Sequence, residues 1–372
     1  MENPVGRGRT MKMAVDKKYD RKEKQKETTE KQSNRKQHKR KGYRMAVRII
    51  GTGSAIPDRI VKNEELETFL DTSDVWIKER TGIASRHAAT TETTTSLATE
   101  ACRRALENAG KKPEDIDIIL AATVSPDCTF PCLACEIQAA IGADQAVAYD
   151  INAACAGFLF ALNSATAYIE CGMYKNALIV GAEVLTKIVD WNDRSSCILF
   201  GDGAGAAVVE KQEGTEGVTA MVQGANGKKG MALYRYEGTV SNPFREAAAT
   251  AEEAPGTGYL EMNGQEVFRF AISQVPESVQ EVLDKAGWQK EEVGHYVLHQ
   301  ANARIIQSIA KRLGEPEEKF PMNLQNYGNM SSASIPVLLD ELNREGRLKR
   351  GEKLVLSGFG AGLTYGATAL IW

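Results

Sequence analysis

Long uncharged apolar runs are missing from this 372-residue chain, and both histidine (four residues) and aromatic side chains (7%) are scarce. No stretch approaches the roughly 18 apolar residues that a membrane-spanning helix needs, so a membrane protein is not expected. The opening MENPVGRGRT carries no apolar h-region, which argues against a secretory leader and a secreted disulfide scaffold. The seven cysteines show no zinc-type pairing. What is present suits a large core: 42% of residues are hydrophobic and 26% charged. Such a length and balance fit one large layered unit or two ordinary domains, and a cytosolic α/β enzyme is the expectation.

The near-zero net charge of −3 conceals an asymmetry. Residues 1–44 hold 16 basic and six acidic residues, a net of +10, which leaves the remainder at −13. With almost no aliphatic residues, this segment cannot offset an ordering cost of about 1–2 kcal/mol per residue, and disorder is expected. A nucleic-acid tail is the sharper alternative, but the segment has no interleaved aromatics for base stacking. Its acidic residues also argue against a mitochondrial presequence. Met45 opens MAVRIIGTG, which reads as a natural start, so residues 1–44 are expected to be dispensable.

From Met45 onward short apolar runs alternate with amphipathic stretches, the pattern of stacked α/β layers. AVRIIGTG, DIDIILAATV, AVAYDI and ALIVGAE read as strands. Ser96 to Ala109 reads as a helix stopped by Gly110. Residues 215–260, poor in apolar runs, read as a loop-rich connection. An internal repeat organises the whole: LENAGKKPEDIDIIL resembles LDKAGWQKEEVGHYVL with Gly110 aligned to Gly287, an offset of 177. The same 177 pairs Gly181 with Gly358 and Cys155 with Ser332. Two copies of one fold are therefore expected, 45–215 and 216–372, with a ligand site where they meet.

Cys155 falls at a strand-to-helix turn in DINAACAGFLFAL. Free amides and the positive helix end there are expected to favour a thiolate and lower the thiol pKa. A buried small hydrophobe is the plainer reading of a free cysteine. His299 closes the strand HYVLH, opposite Ala122 by the repeat offset, whereas His295 is given no role. Asn329, in NYGNMSSAS, precedes the helix that mirrors the one after Cys155; a helix N-cap is its common use. All three side chains come to turns related by one repeat. GFGAGLTYGA (358–367) lacks the context of a dinucleotide fingerprint, and better suits presenting a backbone N–H to an oxyanion.

Cys128, Cys132 and Cys135 form a competing motif, C-x₃-C-x₂-C, the spacing with which radical enzymes hold an iron–sulfur cluster. The run continues as an apolar helix, so core-like packing of these thiols is the better account.

DINAACAGF, HQANARI, YGNMSSAS and GFGAGLTYG, in this order and spacing, resemble the β-ketoacyl-acyl-carrier-protein synthase III family, the starter condensing enzymes of bacterial fatty-acid synthesis. TSDVWIKERTGIASRH and FGDGAGAAVVE are similar too, and the likeness runs from about Met45 to Trp372. It implies the thiolase fold, an α/β architecture of two duplicated halves in αβαβα layers. It implies that Cys155 takes an acyl group from acyl-CoA, and that His299 and Asn329 donate hydrogen bonds to the malonyl thioester carbonyl. The N–H groups of Cys155 and Ala361 would form the oxyanion hole. Trp76 and Arg80, with Arg194 opposite, resemble the adenine-binding positions; Gly264, Phe268 and Asn302 resemble pantetheine-tunnel positions.

By the same resemblance, Arg269, Arg304, Lys311 and Arg312 would receive the acidic carrier protein. Phe130 would reach across a homodimer into the partner's acyl pocket. No metal or resident cofactor is implied, since acyl-CoA is a substrate, and neither nucleic acid nor a membrane is an implied partner. The Cys, His and Asn trio also fits related condensing enzymes of polyketide metabolism. Ala361 stands where glycine is frequent, Met330 where threonine is, and Tyr327 where histidine is. These departures bear on acyl-chain preference.

Overall fold

Strands with unbroken apolar sequence, such as IILAA and NALIVGAE, must be covered on both faces. The computed structural model describes residues 45–236 and 257–372. The first half runs β1 (Met45–Ala55), β2 (Ile60–Lys62), α1 (Asn63–Leu66), α2 (Asp74–Thr81), β3 (Ser85–His87), α3 (Thr94–Ala109), β4 (Ile118–Ala122), α4 (Leu133–Ile141), β5 (Val147–Ile151), α5 (Gly157–Glu170), β6 (Asn176–Glu183) and β7 (Gly203–Glu213). The second runs β8 (Gly217–Ala225), β9 (Leu233–Arg235), β10 (Leu260–Met262), α6 (Gly264–Ala286), β11 (His295–Leu298), α7 (Ala303–Leu313), α8 (Leu324–Tyr327), α9 (Ser334–Arg344), β12 (Lys353–Gly360) and β13 (Thr364–Ile371).

The two large sheets have matching topology. One is ordered β1-β7-β6-β4-β5 and the other β8-β13-β12-β11. In each, a parallel pair (β4 with β6, β11 with β12) meets an antiparallel neighbour (β7 or β13). β6 and β12 are displaced by 177 residues, as are the short 3₁₀ turns Ala154–Ala156 and Ser331–Ala333. Ala154 and Ser331 even share a left-handed φ of +47°. The repeat fails at one edge: 177 residues beyond the start of β5 the chain forms the short helix α8 instead of a fifth strand.

Side-chain alternation along the strands sorts residues into three layers of helix around two of sheet. Ile118 and Leu120 of β4 face the centre, where Phe158 and Leu162 of α5 pack with Leu338 and Leu342 of α9 between the two sheets. Ile119 and Ala121 face outward onto Leu97, Ala101 and Ala105 of α3 and Ile137 of α4. In the second half, Tyr296, Leu298 and Val355 face Val275 and Val279 of α6 and Ile306 and Ile309 of α7. Burying one such Leu, Ile or Phe contributes roughly 1.5–3 kcal/mol.

Helix ends follow local chemistry. Thr93 caps α3 by accepting from the Ser96 N–H, and Gly110 ends it at φ +62°. Asn263 and Gly287 do the same for α6.

One expectation needs correction. The supposed loop at 215–260 contains β8, hydrogen-bonded to β13 throughout its length, as well as β9 and β10. Residues 237–256 of it lie outside the described residues, as does the expected disorder of 1–44. Among the described residues no helix is long and apolar enough to cross a membrane.

Candidate active site

β5 delivers the chain to the Cys155 turn. The Asn152 side chain accepts from the Ala154 N–H (3.4 Å), the backbone twists through φ +47° at Ala154, and α5 starts at Gly157. The end of β12 closes against this turn. A Cβ on Gly360 would lie 2.6 Å from the Cys155 nitrogen, so only glycine lets the two backbones meet this closely. Cys155 is buried, and burial pushes its thiol up to about 12, against the pull of the Ser331 hydroxyl. This direction runs opposite to the expected lowering, and desolvation is its largest cause.

His299 follows β11 directly, its N–H bonded to the Ser357 carbonyl (2.8 Å). Its ring is buried edge-on to Phe359, with centroids 5.4 Å apart, and Nδ1 has no hydrogen-bond partner. Burial lowers its pKa to about 3, so the imidazole is neutral and able to donate one N–H. Asn329 is gripped on both sides, its N–H donating to the Leu199 carbonyl (2.8 Å) and its own carbonyl accepting from Gly201 (3.1 Å). Its Oδ1 accepts from the Ser331 N–H (2.8 Å), which leaves Nδ2 as the side chain's free donor. The anticipated N-cap is not formed, since Met330 stands at the cap of the following turn.

Cys155, His299, Asn329 and Ala361 line one cavity of about 1580 Å³. Trp76, Arg80, Gly264, Phe268 and Asn302 line it too. Trp76 is half-buried, with the Arg80 guanidinium 5.9 Å and the Arg194 guanidinium 5.5 Å from its ring centre. Arg194 is outside the cavity lining and is held by the Asp71 carbonyl and carboxylate. Asn302 caps α7 through the Arg304 N–H (2.9 Å) and donates to the Arg80 carbonyl (3.0 Å), joining α7 to α2.

Other expected residues lie elsewhere. Arg269, Arg304, Lys311 and Arg312 are exposed on α6 and α7, away from the cavity wall. Phe130 is 85% exposed, an unusual state for so large an apolar side chain. The core-like account of the three clustered cysteines holds only in part: Cys132 packs against the outer core, but Cys128 is exposed and Cys135 only half-buried. They do not converge into a group that could hold a metal ion among the described residues. Glu183 and Ser331, both buried near Cys155, escaped the sequence reading. The repeat offset could have found them, since 177 relates them to Gly360 and Ala154.

The chemistry on offer is a thiol nucleophile, two neutral hydrogen-bond donors, and backbone amides at the Cys155 turn and the β12 end. Family models for 3-oxoacyl-[acyl-carrier-protein] synthase III match residues 149–227, and for its C-terminal part residues 283–372. A β-ketoacyl-[acyl-carrier-protein] synthase III of Clostridium acetobutylicum is 47% identical over 88% of this chain and 99% of its own length. The chain belongs to the β-ketoacyl-[acyl-carrier-protein] synthase III family.

Solved structures agree with this assignment. The synthase III of Aquifex aeolicus superposes with a TM-score of 0.81 at 42% identity, covering 88% of this chain and all (100%) of that one. The priming β-ketosynthase of the R1128 polyketide pathway gives 0.81 at 38% identity, over 88% of this chain and 97% of that one. This family's thiolase fold is the doubled α/β arrangement described above.

Proposed function

We propose that the chain condenses an acyl-CoA primer with malonyl-acyl carrier protein, releasing carbon dioxide and leaving a 3-oxoacyl-carrier protein. Cys155 attacks the acyl-CoA thioester and becomes acylated, with CoA as leaving group. Amides of Cys155 and Ala361 stabilise the tetrahedral oxyanion; one such donor is typically worth about 3–4 kcal/mol. His299 and Asn329 then donate to the malonyl thioester oxygen, so that loss of carbon dioxide leaves an enolate. Its carbon attacks the acyl-Cys155 carbonyl and the product departs on the carrier. Neutral donors suit this chemistry, because decarboxylation creates the carbanion without a strong base.

The observation carrying this reading is that Cys155, His299 and Asn329, far apart in sequence, line one cavity with Trp76 and Arg80. Trp76 and the arginines beside it fit an adenine and its phosphates, and the exposed cations of α6 and α7 fit an acidic carrier. Phe130, bare on a single chain, fits a homodimer. Acyl-CoA acts as a substrate here, so no resident cofactor or metal is assigned, and the cytoplasm is the compartment that supplies it. The likeness to a priming ketosynthase favours a polyketide starter role as a second reading, which a panel of acyl-CoA primers would separate.

The test is to follow the two half-reactions separately. Cys155→Ala should abolish acylation by acyl-CoA, while His299→Ala and Asn329→Ala should still be acylated yet fail to decarboxylate the malonyl thioester. Acylation that survives in Cys155→Ala would remove this thiol from the mechanism.

A further inference from the structure

Asn329 is suspended between two chain segments and belongs to no regular element of its own. Residues 199–201 hold its backbone from one side, through the Leu199 carbonyl and the Gly201 N–H. Gly328 brings the chain in from the other side at φ +69°. A Cβ on Gly328 would lie 2.9 Å from the Leu199 carbonyl oxygen and 3.3 Å from the Arg86 Cβ. A Cβ on Gly201 would lie 2.2 Å from the Tyr327 carbonyl oxygen and 3.1 Å from that same Arg86 Cβ. The two segments are thus pressed together, with the stem of Arg86 against both.

Arg86 is the middle residue of β3 and has no exposed surface. One guanidinium nitrogen donates to the Ile198 carbonyl (2.8 Å), and another to the Asn63 side-chain oxygen (2.8 Å) and the Val61 carbonyl (3.3 Å). Asn63 is itself fully buried and fixed by donating to the Ile83 carbonyl (2.8 Å). A planar fork reaches both segments at once, which the point charge of a lysine does not. The neighbours of Arg86 grip the same place. The Ala84 N–H donates to the Gln325 carbonyl (2.9 Å) and the Ser85 hydroxyl to the Asn326 carbonyl (3.0 Å), both in α8 just before Gly328. The His87 carbonyl accepts from the Asp202 N–H (2.9 Å), just after Gly201. Residues 84–87 therefore bracket both segments that meet at Asn329. Arg86 is not part of the cavity wall, so it acts only through what it holds.

We propose that Arg86 is a positioning residue for decarboxylation: by holding the Ile198 carbonyl and backing Gly201 and Gly328, it fixes the Asn329 backbone and so the aim of its Nδ2 donor. Oδ1 of Asn329 is engaged by the Ser331 N–H, so the direction of Nδ2 follows the backbone. A donor displaced by about 1 Å costs on the order of 10²-fold in rate. The Cys155 turn is carried instead by β5 and α5 and closed by β12, so acylation does not depend on this bracket. This inference rests on Asn329 being a donor to the malonyl thioester oxygen.

The experiment sets single-turnover acylation by acyl-CoA, as intact-protein mass, beside kcat and KM for malonyl-thioester decarboxylation. Arg86→Met should lower the decarboxylation kcat by about 10²-fold, with KM and acylation little changed. Arg86→Lys keeps the charge and much of the stem but not the fork, and should fall between that variant and the unsubstituted protein. Ser85→Ala removes only the bond to Asn326 from a half-buried position, so it tests the same bracket without disturbing the core. It should show a smaller loss confined to the same step. Added to Asn329→Ala, Arg86→Lys should slow decarboxylation no further, because the donor it aims is gone. Unaltered decarboxylation in Arg86→Lys or Ser85→Ala overturns the inference, as do equal losses in both half-reactions or a further loss in the double variant. Unaltered decarboxylation in Asn329→Ala alone would instead remove the reading of Asn329 on which it depends.

Discussion

Gly360→Ala probes how closely the second half must press on the nucleophile. Gly360 has φ −170°, an extended setting that alanine adopts freely, so backbone strain contributes nothing. The cost is collision: the added Cβ would lie 2.6 Å from the Cys155 nitrogen, 3.0 Å from its Cβ and 3.2 Å from its Cα. Ordinary contact begins near 3.4 Å, so β12 and the Cys155 turn must part by about 0.8 Å. Overpacking of this kind costs about 1–3 kcal/mol of stability. A displacement near 1 Å at reacting groups costs on the order of 10²-fold in rate. Acylation of Cys155 by acyl-CoA, read as intact-protein mass, should therefore slow by about that factor, and the melting temperature should fall. Gly287→Ala is the control. That glycine has φ +70° and no heavy atom within 4 Å of the added Cβ, so it should lose about 1 kcal/mol of stability with acylation unchanged. A Gly360→Ala protein that acylates at the unaltered rate would refute the close-contact account.

Other perturbations give equally direct outcomes. Burial holds His299 near 3, below the roughly 6.5 of an unfolded histidine, so its contribution to stability is complete above pH 6.5 and is lost as pH falls toward 3. By pH 5 that loss is about 2 kcal/mol. In urea titrations, His299→Gln should lose about that much less stability than the unsubstituted protein between pH 7.5 and 5; equal losses would contradict the buried neutral imidazole. Trp76→Ala should raise KM for acyl-CoA with little change in the rate of malonyl decarboxylation. Arg304→Glu should raise KM for malonyl-acyl carrier protein far more than for acyl-CoA, and parallel changes would detach that surface from the carrier.

Much of this arrangement was legible from spacing alone. A displacement of 177 residues carried from glycine to glycine reproduced the doubled strands and both 3₁₀ turns. What stayed hidden depended on packing between distant segments. β8 reads as loop because many of its residues are only half-buried, so no continuous apolar run marks it. Arg80 lies one turn from Trp76 and Arg194 reaches the same ring from a separate segment, a pairing that only the family resemblance indicated. The helix end beside Cys155 suggested an acidic thiol, yet its desolvation comes from residues gathered by the fold, which no local pattern records. Glu183 is the last residue of an otherwise apolar strand, so its charge is easily read as that strand's exit to solvent, yet it is fully buried.

The shared centre has a consequence for engineering. Each large sheet draws all its strands from one half of the chain, but α5 and α9 cover each other between the sheets. Two separately expressed fragments would each hold a nearly complete scaffold with a greasy inner face, and would be silent apart. Mixed, they should reassemble into a working catalyst, because Cys155 comes from one fragment and both its electrophilic helpers from the other. Such a split protein would make a reporter whose signal depends on the meeting of its pieces.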